Sequence, residues 1–350
     1  MEWYYPLIVL AKVVIVMLGV SLGAYINVYF FRKELGRMQS RMGPNRVGPE
    51  GLLQCLADAV KMLIKEDTVP AGADRMLFKM GPGLLIVPIF VAFAVVPFSN
   101  DWGFGCGPNG CATTLHPIIS PTNVGLLIVL ALTSMGVYGV VMGGWASNNK
   151  YGMMGSLRAS AQLISYEVTL GLSVIGVVML AHSLNLEDIV AAQASGGFWT
   201  WYIVRQFPAF IIFFAGIMAE SARPPFDLPE AESELVAGYH VEYSGARFFI
   251  YQTAEWSAML LWVCVAVCLF FGGWLPPFGI LSFIPGWLWF IAKAYALIFT
   301  IIWVGATWPR FRYDQLMSLN WKVLLPIGIA NFFIVAIWKT VAASLGVYGG

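Results

Sequence analysis

The groups with chemistry to offer in this chain are carboxylates, and they crowd into one stretch. From Ala219 to Gly245 it reads AESARPPFDLPEAESELVAGYHVEYSG, with six acids, Glu220, Asp227, Glu230, Glu232, Glu234 and Glu242, and one early cation, Arg223. A solvated acidic loop is the plain explanation, and two features count against it. Glu220 follows an apolar run with no polar spacer, and the stretch carries Phe226, Leu228, Leu235, Val236 and Tyr239, which a purely solvated loop does not need. Two further acids lie in apolar runs on either side, Glu167 in QLISYEVTLG and Glu255 in AEWSAMLLWV. Charges in such runs are costly and mostly functional, although acids near helix ends can also snorkel to water. Carboxylates taken out of water and set beside one another can exchange protons near neutral pH, as a relay requires. Lys12 and Lys293 are cations in similar runs. Lys12 can snorkel; Lys293 is less easily explained that way.

Membrane helices must position these groups. The chain of 350 residues is 59% hydrophobic and 11% charged, with a mean hydropathy of +0.75, which is the profile of a polytopic membrane protein. A spanning helix needs roughly 20 mostly apolar residues. Eight runs qualify, at about 6–31, 76–98, 122–143, 162–181, 202–220, 255–274, 287–305 and 323–345. Lipid gives backbone groups no partners and no barrel-like alternation is present, so the expected fold is all-α, one membrane domain over residues 1–350 with an acidic loop at 221–250. The fifth run is the weakest, because Arg205 and Pro208 interrupt its start. The first run is followed by Arg32 and Lys33 and is expected to be a retained span rather than a cleaved signal.

Basic residues set the orientation. The loop after the first run carries Arg32, Lys33, Arg37, Arg41, Arg46, Lys61, Lys65, Arg75 and Lys79. Loops on the same side add Lys150, Arg158, Arg223, Arg247, Arg310, Arg312 and Lys322, whereas 99–121 and 275–286 have no basic residue. The charged loops are therefore expected in the cytoplasm, with both termini on the periplasmic side. Near-zero net charge excludes nucleic acid as an electrostatic partner.

The first charged loop opens with GPNRVGPEG, where Gly and Pro fix the backbone. In LLQCLADAVKMLIKED, Leu52, Leu56, Ala59 or Val60, and Leu63 recur at helical spacing, and Asp58, Lys61 and Lys65 share the other face. An amphipathic helix on lipid or on a partner fits this pattern as well as a plain surface helix does. None of the five cysteines forms a CxxC pair, so no metal or Fe–S site is expected. Cys106 and Cys111 bracket a GPNG turn, where a disulfide and a reduced pair are both open. His116 and His182 read as loop residues. In PRFRYDQLM, Arg310, Arg312 and Asp314 could form a phosphate site or pair with the acids of 219–245; the number of those acids favours the pairing. With no Walker loop, GxGxxG or HExxH, the chain brings no nucleotide-binding or hydrolytic apparatus. Two readings survive: a proton-coupled transporter and a membrane subunit of a redox enzyme. No internal repeat of the transporter kind is visible, which favours the second.

Four segments carry a resemblance to a known family: GRMQSRMGPNRVGPEGLLQCLADAVKMLIKED, GWASNNKYGMMGSLRASAQLISYEV, ARPPFDLPEAESELVAGYHVEYSG and PRFRYDQLM. They resemble the quinone-end membrane subunit of respiratory complex I in bacteria and mitochondria, over essentially the whole chain. Related subunits occur in energy-converting hydrogenase-type complexes. The resemblance implies a subunit of a proton-translocating NADH:quinone oxidoreductase in the bacterial inner membrane or the mitochondrial one. It implies a quinone substrate, with FMN and Fe–S clusters on partner subunits. It also implies contacts with the peripheral-arm Fe–S and quinone-site subunits, with antiporter-like and small membrane subunits, and with lipid. The family's funnel acids match Glu167, Glu220, Asp227, Glu230, Glu232, Glu234, Glu242 and Glu255. Its chamber and loop residues match Arg32, Arg41, Asp58, Lys61, Lys65, Arg158, Arg223, Arg310, Arg312 and Asp314. No residue of this chain is implied to act as a redox group or nucleophile. Three positions depart from the family pattern: Phe31 where many members have an acid, Gly305 where many have Arg, and Trp256 where Tyr is common. Glu34, three residues after Phe31, could stand in for the missing acid.

Overall fold

The computed structural model describes residues 5–100, 102–107, 110–115, 118–229, 232–281 and 283–344. The first span is α1 (Tyr5–Met38), 34 residues long. At about 1.5 Å per residue this helix exceeds the thickness of a bilayer, so its far end, with Arg32 and Lys33, projects into the charged loops. The amphipathic segment is a helix, α2 (Gln54–Ile64). Cys55 is its buried side, while Leu56, Val60, Leu63 and Ile64 remain exposed. Next comes α3 (Arg75–Ala92), capped by Asp74, whose carboxylate accepts from the Met76 and Leu77 amides at 3.0 and 3.2 Å. Such a cap satisfies amides that the first turn leaves unpaired.

The segment after α3 holds an antiparallel hairpin, β1 (Trp102–Gly107) and β2 (Gly110–Leu115), a small exception to the helical plan. Cys106 and Cys111 are register partners; their side chains, and His116, lie outside the described residues. Two long helices follow, α4 (Gly125–Ala146) and α5 (Lys150–Ala181). The 32 residues of α5 begin well before the apolar run, so Arg158 is helical too. A short helix, α6 (Leu186–Ala192), leads to the fifth span.

The fifth span is broken where the sequence is weakest. The segment Gly196–Arg205, which contains α7 (Tyr202–Arg205), meets α8 (Phe207–Glu220) at an angle of 66°. Pro208 in the first turn of α8 suits a helix start and cannot continue a helix from before it. Gln206, at the break, accepts a hydrogen bond from the Asn331 side chain at 3.0 Å. The 14 residues of α8 rise only about 21 Å, short of a layer roughly 30 Å thick, and Glu220 is the last of them. The backbone then leaves the helix. Ser221, Arg223, Phe226 and Leu228 are nonetheless buried. Non-helical backbone at this depth is tolerated where protein encloses it or where it lines a cavity.

Beyond a single turn, α9 (Glu232–Leu235), runs the central helix α10 (Gly245–Phe270). Its residues from Leu261 to Phe270 are all buried, and α1, α2, α3, α8 and α11 (Gly286–Thr307) pack against it. It starts ten residues before the expected span (245 against 255), so Glu255 lies in its third turn rather than at its beginning. Gly143 of α4 shows how tightly α10 fits. A Cβ there would stand 2.1 Å from the Tyr251 hydroxyl, which donates to the Gly139 carbonyl at 3.2 Å. The last span joins α12 (Tyr313–Leu319), a π-helical turn at Asn320–Leu324 and α13 (Leu325–Ser344). Among the described residues, seven helices are long and apolar enough to cross a membrane, or eight with the broken pair taken as one span.

Two of the lysines within the spans, Lys293 and Lys12, have local partners. Lys293 donates to the carbonyls of Phe271, Gly273 and Leu275 at 2.7, 2.8 and 2.6 Å and lies over the Trp201 ring. It thus caps the end of α10, where a cation meets unpaired carbonyls. Lys12 donates to the Ile118 carbonyl at 3.4 Å.

Candidate functional site

Three helices and one buried turn bring the deepest acids together. Glu220 and Glu255 line the same cavity, about 50 Å³ in volume, with Thr133, Leu163, Tyr239 and Trp262. That is room for a few water molecules. Glu255 is buried and accepts a 2.5 Å hydrogen bond from the Tyr239 hydroxyl. One carboxylate oxygen of Glu220, Oε2, is sealed from solvent with no hydrogen-bond partner among the described residues. A buried acceptor of this kind is normally satisfied by water or by its own proton. Glu167, on α5, is close enough to interact electrostatically with Glu220, and Ser134 of α4 donates to it. The helix-end acids are therefore grouped inside the bundle and do not simply snorkel outward.

Glycine sets the position of Tyr239. A Cβ on Gly155 of α5 would come within 2.6 Å of the Gly238 and Tyr239 backbone. That close approach seats Tyr239 over the cavity. Beside it, Tyr243 donates to the carbonyls of Phe78 and Gly143 at 3.2 and 3.3 Å. Burial pushes the Tyr243 hydroxyl up to about 12, against the Tyr251 hydrogen bond and the Arg247 charge, so it stays a neutral donor at physiological pH.

The remaining acids of the loop are held at its rim by partners far away in sequence. Asp227 receives Arg310 at 2.6 Å, Glu234 receives Arg158 at 2.5 Å, and Glu242 receives the Asn149 side chain at 2.5 Å. Asn149 also caps α5, accepting from the Tyr151 amide at 2.9 Å. Among the described residues, pairing of the last charged loop with these acids holds for Arg310, whereas Arg312 lies 3.6 Å from its own neighbour Asp314, both well exposed. Glu230 lies outside the described residues. Glu232 opens α9, and its side chain also lies outside them.

The basic residues do not converge on one site. Arg32 meets Asp58 at 2.5 Å, with Gln54 at 3.2 Å and Lys61 at 4.0 Å, which ties α1 to α2. Partial burial acts to raise the Asp58 pKa, but the Arg32 hydrogen bond and charge, helped by Gln54 and Lys61, outweigh it and hold it below the usual carboxylate value. Arg41 is exposed and donates to the Gln39 side chain at 2.7 Å, and Lys65 is exposed. Of these basic residues, all within the described ones, Arg223 alone is buried. Its guanidinium lies 3.7 Å from the Trp256 ring centroid, and its Nε and Nη2 have no hydrogen-bond partner among the described residues.

The three positions expected to depart from the resembled family's pattern, Phe31, Trp256 and Gly305, lie around that arginine and its turn. Phe31 packs edge-on against Trp256 at 5.3 Å, Trp256 carries Arg223, and the Cβ position of Gly305 is 3.1 Å from the Pro224 carbonyl. A larger residue at 305 would press on the turn. Glu34, the acid nearest to Phe31 along α1, pairs with Arg37 at 2.8 Å, one turn further along. Polar side chains assigned no role from the sequence complete the site: Ser134, Asn149, Gln162 and the hydroxyl of Tyr239. Ser134 and Gln162 could have been found as isolated polar residues in apolar runs; the partners of Asn149 and Tyr239 could not.

Fold and site together define a polytopic membrane protein with a small cavity lined by two carboxylates. Comparison with known proteins then gives the family. The sequence model of the NADH dehydrogenase family matches residues 11–336. An NADH-quinone oxidoreductase H subunit of Geobacter metallireducens, the one numbered 2, is 48% identical over 339 residues, 95% of this chain and 96% of its own. The H subunit numbered 1 of Geobacter sulfurreducens is 46% identical over 95% of both chains. The H subunit of Brevibacillus brevis is 48% identical over 92% of this chain and 91% of its own. The chain belongs to this family of NADH-quinone oxidoreductase H subunits.

Proposed function

We propose that this chain is the quinone-end membrane subunit of a proton-translocating NADH:quinone oxidoreductase, and that it works as a proton relay and as a wall of the quinone chamber. The observation that carries the reading is the cavity shared by Glu220 and Glu255, with Glu167 on the neighbouring helix. Quinone reduction consumes two protons. Acids that share a small enclosed pocket with room for a few waters can answer that demand by shifting protons among themselves. Asp227, Glu234 and Glu242, held at the rim, extend the relay toward the charged side, and Glu230 and Glu232 belong to the same loop. Arg223, buried and only partly partnered, stands beside the chamber, while Arg32, Asp58, Lys61 and Lys65 shape its α1–α2 edge. Arg41, Arg158, Arg310, Arg312 and Asp314 hold the loops. The electrons come from FMN and Fe–S clusters on partner subunits, and quinone is the substrate. The charged loops face the cytoplasm of a bacterial cell, where the peripheral arm docks, and antiporter-like subunits continue the membrane arm.

The test is mild detergent purification of the tagged chain from its native membrane, followed by assay. Co-purifying flavin and Fe–S subunits with inhibitor-sensitive NADH:quinone activity are expected. A nickel–iron hydrogenase module in their place would assign the chain to the related hydrogenase-type complexes. A chain that purifies alone, with no redox partner, would return it to the transporter class.

A further inference from the structure

The turn after α8 is non-helical, buried and charged, and α5 holds it through one carboxamide. Gln162 is fully buried, and its Nε2 donates to the Ala219 carbonyl at 2.7 Å and to the Phe226 carbonyl at 2.8 Å. Both amide hydrogens are thereby used. The two acceptors bracket the functional stretch: Ala219 immediately precedes Glu220, and Phe226 lies between Arg223 and Asp227. One turn along α5, Tyr166 packs edge-on against the Phe226 ring at 5.5 Å and donates to the Leu316 carbonyl at 3.1 Å. The next residue is Glu167. Flipping the Gln162 amide would set its oxygen against two carbonyls, so the hydrogen-bond network fixes its orientation. Its Oε1 has no partner among the described residues, a second sign that the amide is held for its donors.

We infer that Gln162 is a positioning residue of the proton relay: by gripping Ala219 and Phe226 it holds Glu220 and the Arg223 turn at a fixed distance from Glu167. This rests on the relay proposed above. If the grip is lost, Ala219 and Phe226 keep buried carbonyls with one partner fewer, and the turn can move relative to α5. Small displacements of this kind cost large factors in rate.

The test uses the assembled complex in membranes and two variants. Gln162→Met keeps the shape and removes both donors. Gln162→Glu keeps the shape and donates one bond only when protonated. Among the described residues, the charged and titratable groups on α5 and the elements packed against it near this position include Arg158, Tyr166 and Glu167 on α5, Glu220 on α8, Arg223 and Asp227 in the turn, Glu234 on α9 and His240. The readouts are NADH oxidation with an artificial acceptor, which bypasses this chain, and inhibitor-sensitive NADH:quinone oxidation across pH. Gln162→Met is expected to keep the first within twofold of wild type and to lower the second about tenfold or more at every pH. Gln162→Glu is expected to match the Met variant at high pH and to recover several-fold, relative to wild type, as the pH falls and the engineered acid protonates. The Glu variant is compared with itself on one preparation, so the result does not depend on how well the Met variant assembles. Wild-type quinone-linked rates in Gln162→Met, or identical pH profiles for the two variants, would overturn the assignment. Absence of inhibitor-sensitive activity in the wild-type complex would instead bring down the relay reading itself.

Discussion

Glu255 accepts from the Tyr239 hydroxyl through a short hydrogen bond, 2.5 Å, in a buried setting. A hydrogen bond contributes roughly 0.5–1.5 kcal/mol, and about 1.5–3 kcal/mol where one partner is charged. Tyr239→Phe is therefore expected to lower quinone-linked turnover about tenfold and to shift its pH profile, with the artificial-acceptor rate unchanged. A turnover and profile equal to wild type would remove Tyr239 from the relay. Trp256 offers a second test. Desolvated cation–π contacts contribute about 2 kcal/mol, and Trp→Ala in a core costs about 3–5 kcal/mol. Trp256→Ala should lower the melting temperature of the purified complex clearly more than Trp256→Tyr, which keeps a ring under Arg223. Equal shifts would mean that the stack contributes little. At this scale the acids were legible because a carboxylate in an apolar run stands out. Their partners were not: Arg158, Arg310 and Asn149 lie 76, 83 and 93 residues from the acids they meet, and no local pattern links them.

Helices place these residues through a few close approaches. Gly143→Ala puts a methyl 2.1 Å from the Tyr251 hydroxyl, an overpacking that typically costs about 1–3 kcal/mol. Removing the hydroxyl in Gly143→Ala/Tyr251→Phe should recover much of the lost thermal stability. Additive losses would refute the contact. The α1–α2 junction carries a pH dependence. The Asp58 pKa is lowered in the folded chain, so its contribution to stability is present above the ordinary carboxylate value, roughly pH 4, and is lost as pH falls through the lowered one. Wild type is expected to lose stability over that acid window more steeply than Asp58→Asn, and parallel acid curves would contradict the pairing. Among the described residues each expected run overlaps a long apolar helix or the broken pair, but three of these helices, α5, α10 and the last, begin about ten residues before the apolar run does. The first ten residues of α10 include Arg247, Tyr251 and Gln252, and α5 opens with Lys150 and Arg158. Polar helix is invisible to an apolar window. The break at Gln206 was foreshadowed by Arg205 and Pro208, whereas the burial of the turn after Glu220 depends on neighbours that no window includes.

As a whole, the molecule places its charged loops at one end of an apolar bundle and a hairpin-bearing, base-poor face at the other. The positive-inside tendency predicts the sides. A cysteine introduced at the exposed Lys65 should react with an impermeant thiol reagent only from the cytoplasm, and one at the exposed Phe278 only from the opposite side; the reverse pattern would invert the topology. Two partly unpartnered groups among the described residues, the Arg223 guanidinium and Glu220 Oε2, lie within one short turn of each other, and the proposed relay depends on the acid. The measurement that tests this most directly is coupled turnover of Glu220→Gln in native membranes, read as inhibitor-sensitive NADH:quinone oxidation together with proton uptake into vesicles. Loss of both, with NADH oxidation by an artificial acceptor intact, is the predicted result. Wild-type quinone reduction and wild-type pumping in an assembled Glu220→Gln complex would contradict it.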